Sequence, residues 1–159
     1  MNNSLSAKGE KVVAISGGFD PLHVGHIEMI KEAHDLGDKL VVILNNDNWL
    51  KKKKGFAFMN EQERKTVIEA VRHVDEVILT NHPPDPTDMS VCTELEALKP
   101  DIFANGGDRK PDGDPVPEVE LCEKLGIEMV YNVGKSGKIQ SSSDLVKRVR
   151  DMGVDIKKI

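Results

Sequence analysis

Five short runs of apolar residues recur along the chain, separated by longer stretches in which apolar positions return every three or four residues. Lys11–Ser16, Lys39–Leu44, Glu76–Leu79, Asp101–Ala104 and Ile127–Asn132 have the length and β-branched content of buried strands. Between them, helices are predicted over His23–Leu36, from Asn60 to about His73, over Asp88–Leu98 and over Val119–Leu125, with a last helix of about ten residues after Ser141–Ser143. Gly37 and Gly126 stand where a helix commonly ends in a left-handed residue. Asn60 with Glu63 three residues on forms a capping-box pattern. Asn45–Phe58, which carries Lys51–Lys54, reads as a mobile loop over a site rather than as regular structure. Strands alternating with helices predict an α/β fold: one Rossmann-like, doubly wound, five-stranded parallel sheet with helices on both faces. In such sheets ligands sit beyond the carboxyl ends of the strands. The glycine-marked polar segments after the first, second, fourth and fifth strands all fall there.

Composition narrows the class of function. The chain has 159 residues and a formal net charge of −5, which fits one domain and excludes a general nucleic-acid binder, whose surface must be basic. Residues 1–9 are polar and read as a flexible tail, with the domain running over 10–159. Cys92 and Cys122 lie thirty residues apart in predicted helices and suggest neither a disulfide scaffold nor a zinc knuckle, so a reducing, cytoplasmic compartment is expected. No apolar run approaches the roughly 20 residues of a membrane span.

Candidate chemistry centres on Gly17–Ile30, GGFDPLHVGHIEMI, at the turn from the first strand into the first helix. Gly17 and Gly18 permit a sharp turn, Pro21 fixes the loop, and Gly25 lies between His23 and His26. The two imidazoles share one face of a helix start, where free N–H groups and the dipole favour phosphate. Neither GxxxxGK[ST] nor GxGxxG is present, so phosphate must be bound another way. Paired histidines with Asp20 are also a pattern for a transition metal, but imidazoles beside two glycines at a helix start suit phosphate better. His34, His73 and His82 read as surface residues.

GGFDPLHVGH, EQERK around Arg64 and the serine run Ser141–Ser143 together resemble the cytidylyltransferase-like nucleotidylyltransferases. Within that family, SSSDLVKRV resembles phosphopantetheine adenylyltransferases, NGGDRKP the sugar-phosphate adenylyltransferases that make ADP-heptose, and RHVDEVI glycerol-phosphate cytidylyltransferases. The resemblance implies transfer of NMP from an NTP, CTP or ATP, to a small phosphorylated metabolite (a sugar, polyol or amino-alcohol phosphate, or a phosphonate), with release of pyrophosphate. It assigns His23, His26, Lys53 and Arg64 to catalysis. Gly17, Gly18, Phe19, Asp20, Gly25, Gly107, Asp108, Lys138, Ser141, Ser142 and Ser143 are assigned to the nucleotide, and Asp47, Lys51 and Arg109 to the second substrate. Mg²⁺ or Mn²⁺ would bridge the phosphates without a protein-only ligand set, and a homodimer is implied. The family's arginine before the serine motif is replaced here by GKSGKIQ, in which Lys138 supplies the charge but not a bidentate fork, so the choice of CTP is left open. Two alternatives are a non-catalytic nucleotide sensor on the same fold and a fragment related to class I aminoacyl-tRNA synthetases. The intact histidine pair and serine run argue against the first, and the absence of a KMSKS-like segment against the second.

Overall fold

The computed structural model describes residues 9–106, 117–134 and 141–153. Gly107, Asp108, Arg109 and Lys138 therefore lie outside the described residues, as does nearly all of the polar amino-terminal segment.

In chain order the elements are β1 (Val12–Gly17), α1 (Val24–His34), β2 (Lys39–Leu44), α2 (Asp47–Lys54), α3 (Glu61–Glu69) and β3 (Glu76–Leu79). They continue with α4 (Cys92–Leu98), β4 (Ile102–Gly106), α5 (Pro117–Leu125), β5 (Glu128–Val133) and α6 (Ser142–Asp151). The strands form one parallel sheet in the order β3-β2-β1-β4-β5. The order reverses between β1 and β4, where a doubly wound sheet opens a crevice at its carboxyl edge.

Alternate residues of each strand feed two cores. Val13, Ile15, Val42, Leu44 and Ala104 pack with Ile30 and Ala33 of α1 and Ile68 of α3. Ala14, Ile43 and Phe103 pack with Leu95 of α4 and Cys122 of α5. A strand buried on both sides has no polar position to spare, which is why these runs are continuously apolar. Gly37 is not the left-handed cap expected of it, since the cap of α1 is Asp35 in right-handed geometry. It is needed for space: a Cβ there would lie 2.7 Å from Val13 Cγ2 and 2.8 Å from the carbonyl of Lys11. Gly126, at φ +71°, does meet the expectation.

Three further expectations change. The stretch from Asn45 contains helix α2 rather than a loop. Asn46 caps it by accepting from Trp49 N, Gly55 ends it at φ +88°, and Leu50 is fully buried beneath it. Lysines at a helix carboxyl end face the negative pole of its dipole, so a run that reads as solvated loop is also a good last turn. The fourth helix begins at Cys92 rather than Asp88, because Asp88 turns the chain by accepting from Ser90 N at 2.9 Å. His82 is buried rather than on the surface, its ring held between Thr80 Oγ1 (2.8 Å) and the carbonyl of Ser90 (3.0 Å).

Candidate active site

The turn after β1 places both histidines at the start of α1. His23 is its N-cap: its Nδ1 accepts from Gly25 N at 3.1 Å, while His26 Nδ1 accepts from His23 N at 3.3 Å. This is a capping box made of two imidazoles, a reciprocal arrangement usually built from Ser or Thr with Glu or Gln. With each Nδ1 occupied as an acceptor, each ring carries its proton on Nε2. The rings are stacked, centroids 3.8 Å apart, and the Phe19 ring lies 4.8 Å from His26.

Electrostatics keep the pair neutral. Burial, the neighbouring His23 and Lys54 push the His26 pKa down to about 3, and burial with Lys54 lowers that of His23. At neutral pH each ring is an uncharged Nε2–H donor. The expectation of free backbone N–H groups at this helix start is thereby altered, since Gly25 N serves His23 and His26 N is bonded to the carbonyl of His23 at 3.0 Å.

Beside the pair lies an open cleft of about 340 Å³ lined by Asp20, Lys53, Lys54, Phe56, Ser142, Ser143, Val146, Lys147 and Arg150. It joins the carboxyl end of α2 to one face of α6, from Ser142 at its start to Arg150 in its last turn. Lys54 belongs to the cleft and is near enough to both histidines to lower their pKa, so cleft and pair form one site. Four cations against one carboxylate make this a place for a polyanion in a chain that is acidic overall. Ser141 caps α6 by accepting from Asp144 N, and Ser142 Oγ donates to the carbonyl of Pro21 at 2.8 Å. That hydrogen bond fastens the start of α6 to the turn leading into α1.

Several assigned residues shape the site rather than face it. Asp20 is buried, its two oxygens accepting from Phe58 N (2.5 Å) and Met59 N (2.7 Å), so it closes the segment after α2 over the turn. Arg64, assigned to catalysis, has a fully buried side chain and its donors are engaged. Nε bonds the carbonyl of Met59, one terminal nitrogen those of Gly18 and Asn45, and the other Asp47 at 2.7 Å. It pins β1, β2 and the start of α2 together from beneath. Asp47, assigned to the second substrate, is its ion-pair partner. Lys51 lies outside the cleft, in a second groove with Asn48, Lys52, Pro84 and Asp85. The turn is tight at both glycines: a Cβ on Gly18 would meet Leu50 Cδ2 at 2.8 Å and one on Gly17 the Phe19 ring at 3.0 Å. The positive φ of the turn belongs to Phe19, at 49°.

Sequence reasoning did not single out Lys54, Phe56, Val146, Lys147 or Arg150. The last three were findable, since Ser143, Val146, Lys147 and Arg150 follow the three- and four-residue spacing of one helix face.

Both oxygens of Asp20, the carboxylate that lines the cleft among the described residues, accept backbone hydrogen bonds. No group of three or more metal-ligating side chains occurs among the described residues.

Comparison with known proteins agrees with this geometry. Residues 14–148 match the cytidylyltransferase-like family. The FAD synthase of Pyrococcus abyssi (strain GE5 / Orsay) is 34% identical over 149 residues, covering 90% of this chain and 95% of that protein. The bifunctional protein HldE of Pelobacter propionicus is 36% identical over 147 residues, 90% of this chain but 28% of that longer protein. Among solved structures, a lipopolysaccharide core biosynthesis protein from Thermoplasma volcanium GSS1 superposes with a TM-score of 0.64 and 29% identity, covering 78% of this chain and 97% of that one. Pantoate-beta-alanine ligase from Francisella tularensis, at 17% identity and a TM-score of 0.53, shares the fold alone. The relatives make the chain a nucleotidyltransferase, with a histidine-capped helix at the carboxyl edge of its parallel sheet and a cationic cleft beside it. The chain belongs to the cytidylyltransferase-like family.

Proposed function

We propose that the protein transfers a nucleoside monophosphate, AMP in the first instance, from its triphosphate to the phosphate of a small metabolite, releasing pyrophosphate. The observation that carries this reading is the pair of neutral imidazoles, each with Nε2–H as its remaining donor, beside a cleft of four cations. AMP is favoured over CMP because FAD, the product named for one relative, contains an adenylyl group, and because the arginine associated with cytidylyl transfer is absent before Ser141.

The triphosphate lies in the cleft, its β and γ groups against Lys147, Arg150 and the start of α6, with Lys53 and Lys54 on the opposite wall. An oxygen of the acceptor phosphate bonds to the α-phosphorus as the bond from that phosphorus to the bridging oxygen breaks, and pyrophosphate leaves with the electron pair. The acceptor is already ionised, so no protein base is required. The Nε2–H groups of His23 and His26 stabilise charge growing on the α-phosphate oxygens and the leaving oxygen. A divalent ion such as Mg²⁺, if carried by the triphosphate, would supply further neutralisation of its charge beside Lys53, Lys54, Lys147 and Arg150. We further infer that the enzyme works in a reducing cytoplasm, where free Cys92 and Cys122 persist, and as a homodimer by family resemblance.

The test is pyrophosphate release in Mg²⁺ with ATP, CTP, GTP and UTP against sugar, polyol and amino-alcohol phosphates, FMN and phosphopantetheine. Release confined to one nucleotide and one acceptor class is the expected result. Nucleotide binding without release from any pair would overturn transfer in favour of a sensor.

A further inference from the structure

Helix α2 carries two of the four cleft cations on its last turn, and much of what holds that helix lies outside the cleft. It has only eight residues, too few to be stable by itself, so its position is set by its ties to the rest of the chain. Leu50 is fully buried and anchors it in depth, but apolar contact is non-directional and does not fix the rotation of a helix. Direction comes from hydrogen bonds. Several of them run to the segment between β3 and α4. Asn46 Nδ2 and Asn48 Nδ2 both donate to the carbonyl of His82, each at 2.9 Å. Trp49 Nε1 donates to the carbonyl of Met89, also at 2.9 Å. Lys52 pairs with Asp85 at 2.7 Å, but both side chains are exposed and such a pair contributes little. The two carbonyl anchors keep a fixed spacing, because the His82 ring is bonded to the carbonyl of Ser90, the residue after Met89, at 3.0 Å.

The indole holds the point nearest the cleft lysines. Asn46 and Asn48 share one acceptor, and Asp47 meets Arg64, so these three side chains hold only the start of α2. Trp49 adds a different point, seven residues from His82, and its Cζ3 would lie 3.6 Å from a Cβ on Gly18, against the turn that leads to the histidines. The next fixed point is Asp20 binding Phe58 N and Met59 N, beyond the end of the helix. Lys53 and Lys54 stand between. Lys53 follows Trp49 by four residues, on the same face of the helix, and Lys54 by five. A rigid ring with two torsions transmits position at little cost in entropy. The leverage is large, since misplacing a catalytic group by about 1 Å can cost about 100-fold in rate.

We propose that Trp49 is a positioning residue for nucleotidyl transfer: its N–H bond to Met89 fixes α2 so that Lys53 and Lys54 meet the reacting phosphates from one set direction. The proposal rests on the nucleotidyl-transfer reading above.

Trp49→Phe keeps an aromatic ring against Gly18 and removes the N–H. It is made in the parent chain and in a background carrying Lys53→Ala with Lys54→Ala. Melting temperature, affinity for the α,β-methylene analogue of the nucleotide, and kcat and KM are measured with the pair that releases pyrophosphate fastest in the panel above. In the parent chain the expected result is a kcat lowered about 5- to 20-fold, with both KM values and the analogue affinity changed less than about twofold. In the double-lysine background the same substitution should lower kcat by less than about twofold, because the groups it acts through are gone. An unchanged kcat with a lower melting temperature would make the indole a structural tie and overturn the proposal. So would an equal loss in both backgrounds, or a raised KM at constant kcat, either of which would assign Trp49 to direct contact with a substrate. Should Trp49→Phe not fold, the benzothienyl isostere of tryptophan, incorporated at this, the only tryptophan of the chain, replaces the N–H by sulfur and is read by the same comparison. If the parent enzyme releases pyrophosphate with no pair, the transfer reading fails and this proposal fails with it; release by the parent leaves the outcomes above to decide the role of Trp49 alone.

Discussion

The two histidines of the first turn act in folding and in chemistry through different atoms of the same rings. Nδ1 of each holds a backbone N–H and so fixes where α1 begins, while Nε2–H is left for substrate. His26→Ala is expected to lower kcat by about 10²- to 10³-fold, the cost typical of losing one transition-state donor, with nucleotide affinity changing far less. Steady-state pyrophosphate release and calorimetry check both halves; an unchanged kcat would remove His26 from the mechanism. A second expectation concerns pH. Because the folded state holds His26 neutral down to about pH 3 and an unfolded chain takes up the proton near 6.5, the unfolded state binds more protons between those values. Stability from this ring is therefore complete above about pH 6.5 and declines as the pH falls toward 3. Urea unfolding at pH 7 and pH 4.5 should show a smaller acid loss in His26→Gln than in the parent protein. An equal loss in both would mean that the ring titrates normally.

Helices α2, α3 and α6 carry the site's cations, and each uses them differently. Arg64 of α3 faces inward and satisfies two carbonyls at the ends of β1 and β2 as well as Asp47. Arg64→Ala is expected to destabilise by about 3 kcal/mol or more, because it strands those buried acceptors and a paired carboxylate. Arg64→Lys should recover little of this, since one ammonium cannot reproduce the fork. Denaturant midpoints measure both, and a lysine variant as stable as the parent would contradict the role. Lys147 and Arg150 of α6 face the cleft. Their double alanine variant is expected to weaken ATP binding by about tenfold or more and to flatten its dependence on salt while leaving the unfolding midpoint unchanged. Titrations at two ionic strengths would show it, and undiminished affinity would move the triphosphate elsewhere.

The sheet order brings the ends of β1 and β2 and the starts of α1 and α6 to one edge, although they are separated by more than a hundred residues of chain. On family resemblance the molecule is expected to sediment at about twice its 17.6 kDa chain mass at micromolar concentration, and a single-chain mass would count against a dimer.

The strands were legible in the chain because burial on both faces demands unbroken apolar runs, and β2 and β3 fall where the pattern puts them. The histidine turn and the Ser141 cap were legible as well, since caps depend on residues within a few positions of each other. The interior place of Arg64 was not, because an arginine on a helix reads as solvated until three of its four acceptors, 17 to 46 residues away in sequence, are brought beneath it. Nor did α2 announce itself: its four lysines look like a loop until Leu50 finds the core and Trp49 finds Met89. Local patterns carry the elements and the phosphate turn. Which cations face the cleft, which are buried, and where the indole is anchored are settled by long-range packing, since the hydrogen-bond partners that decide them meet only when the sheet has formed.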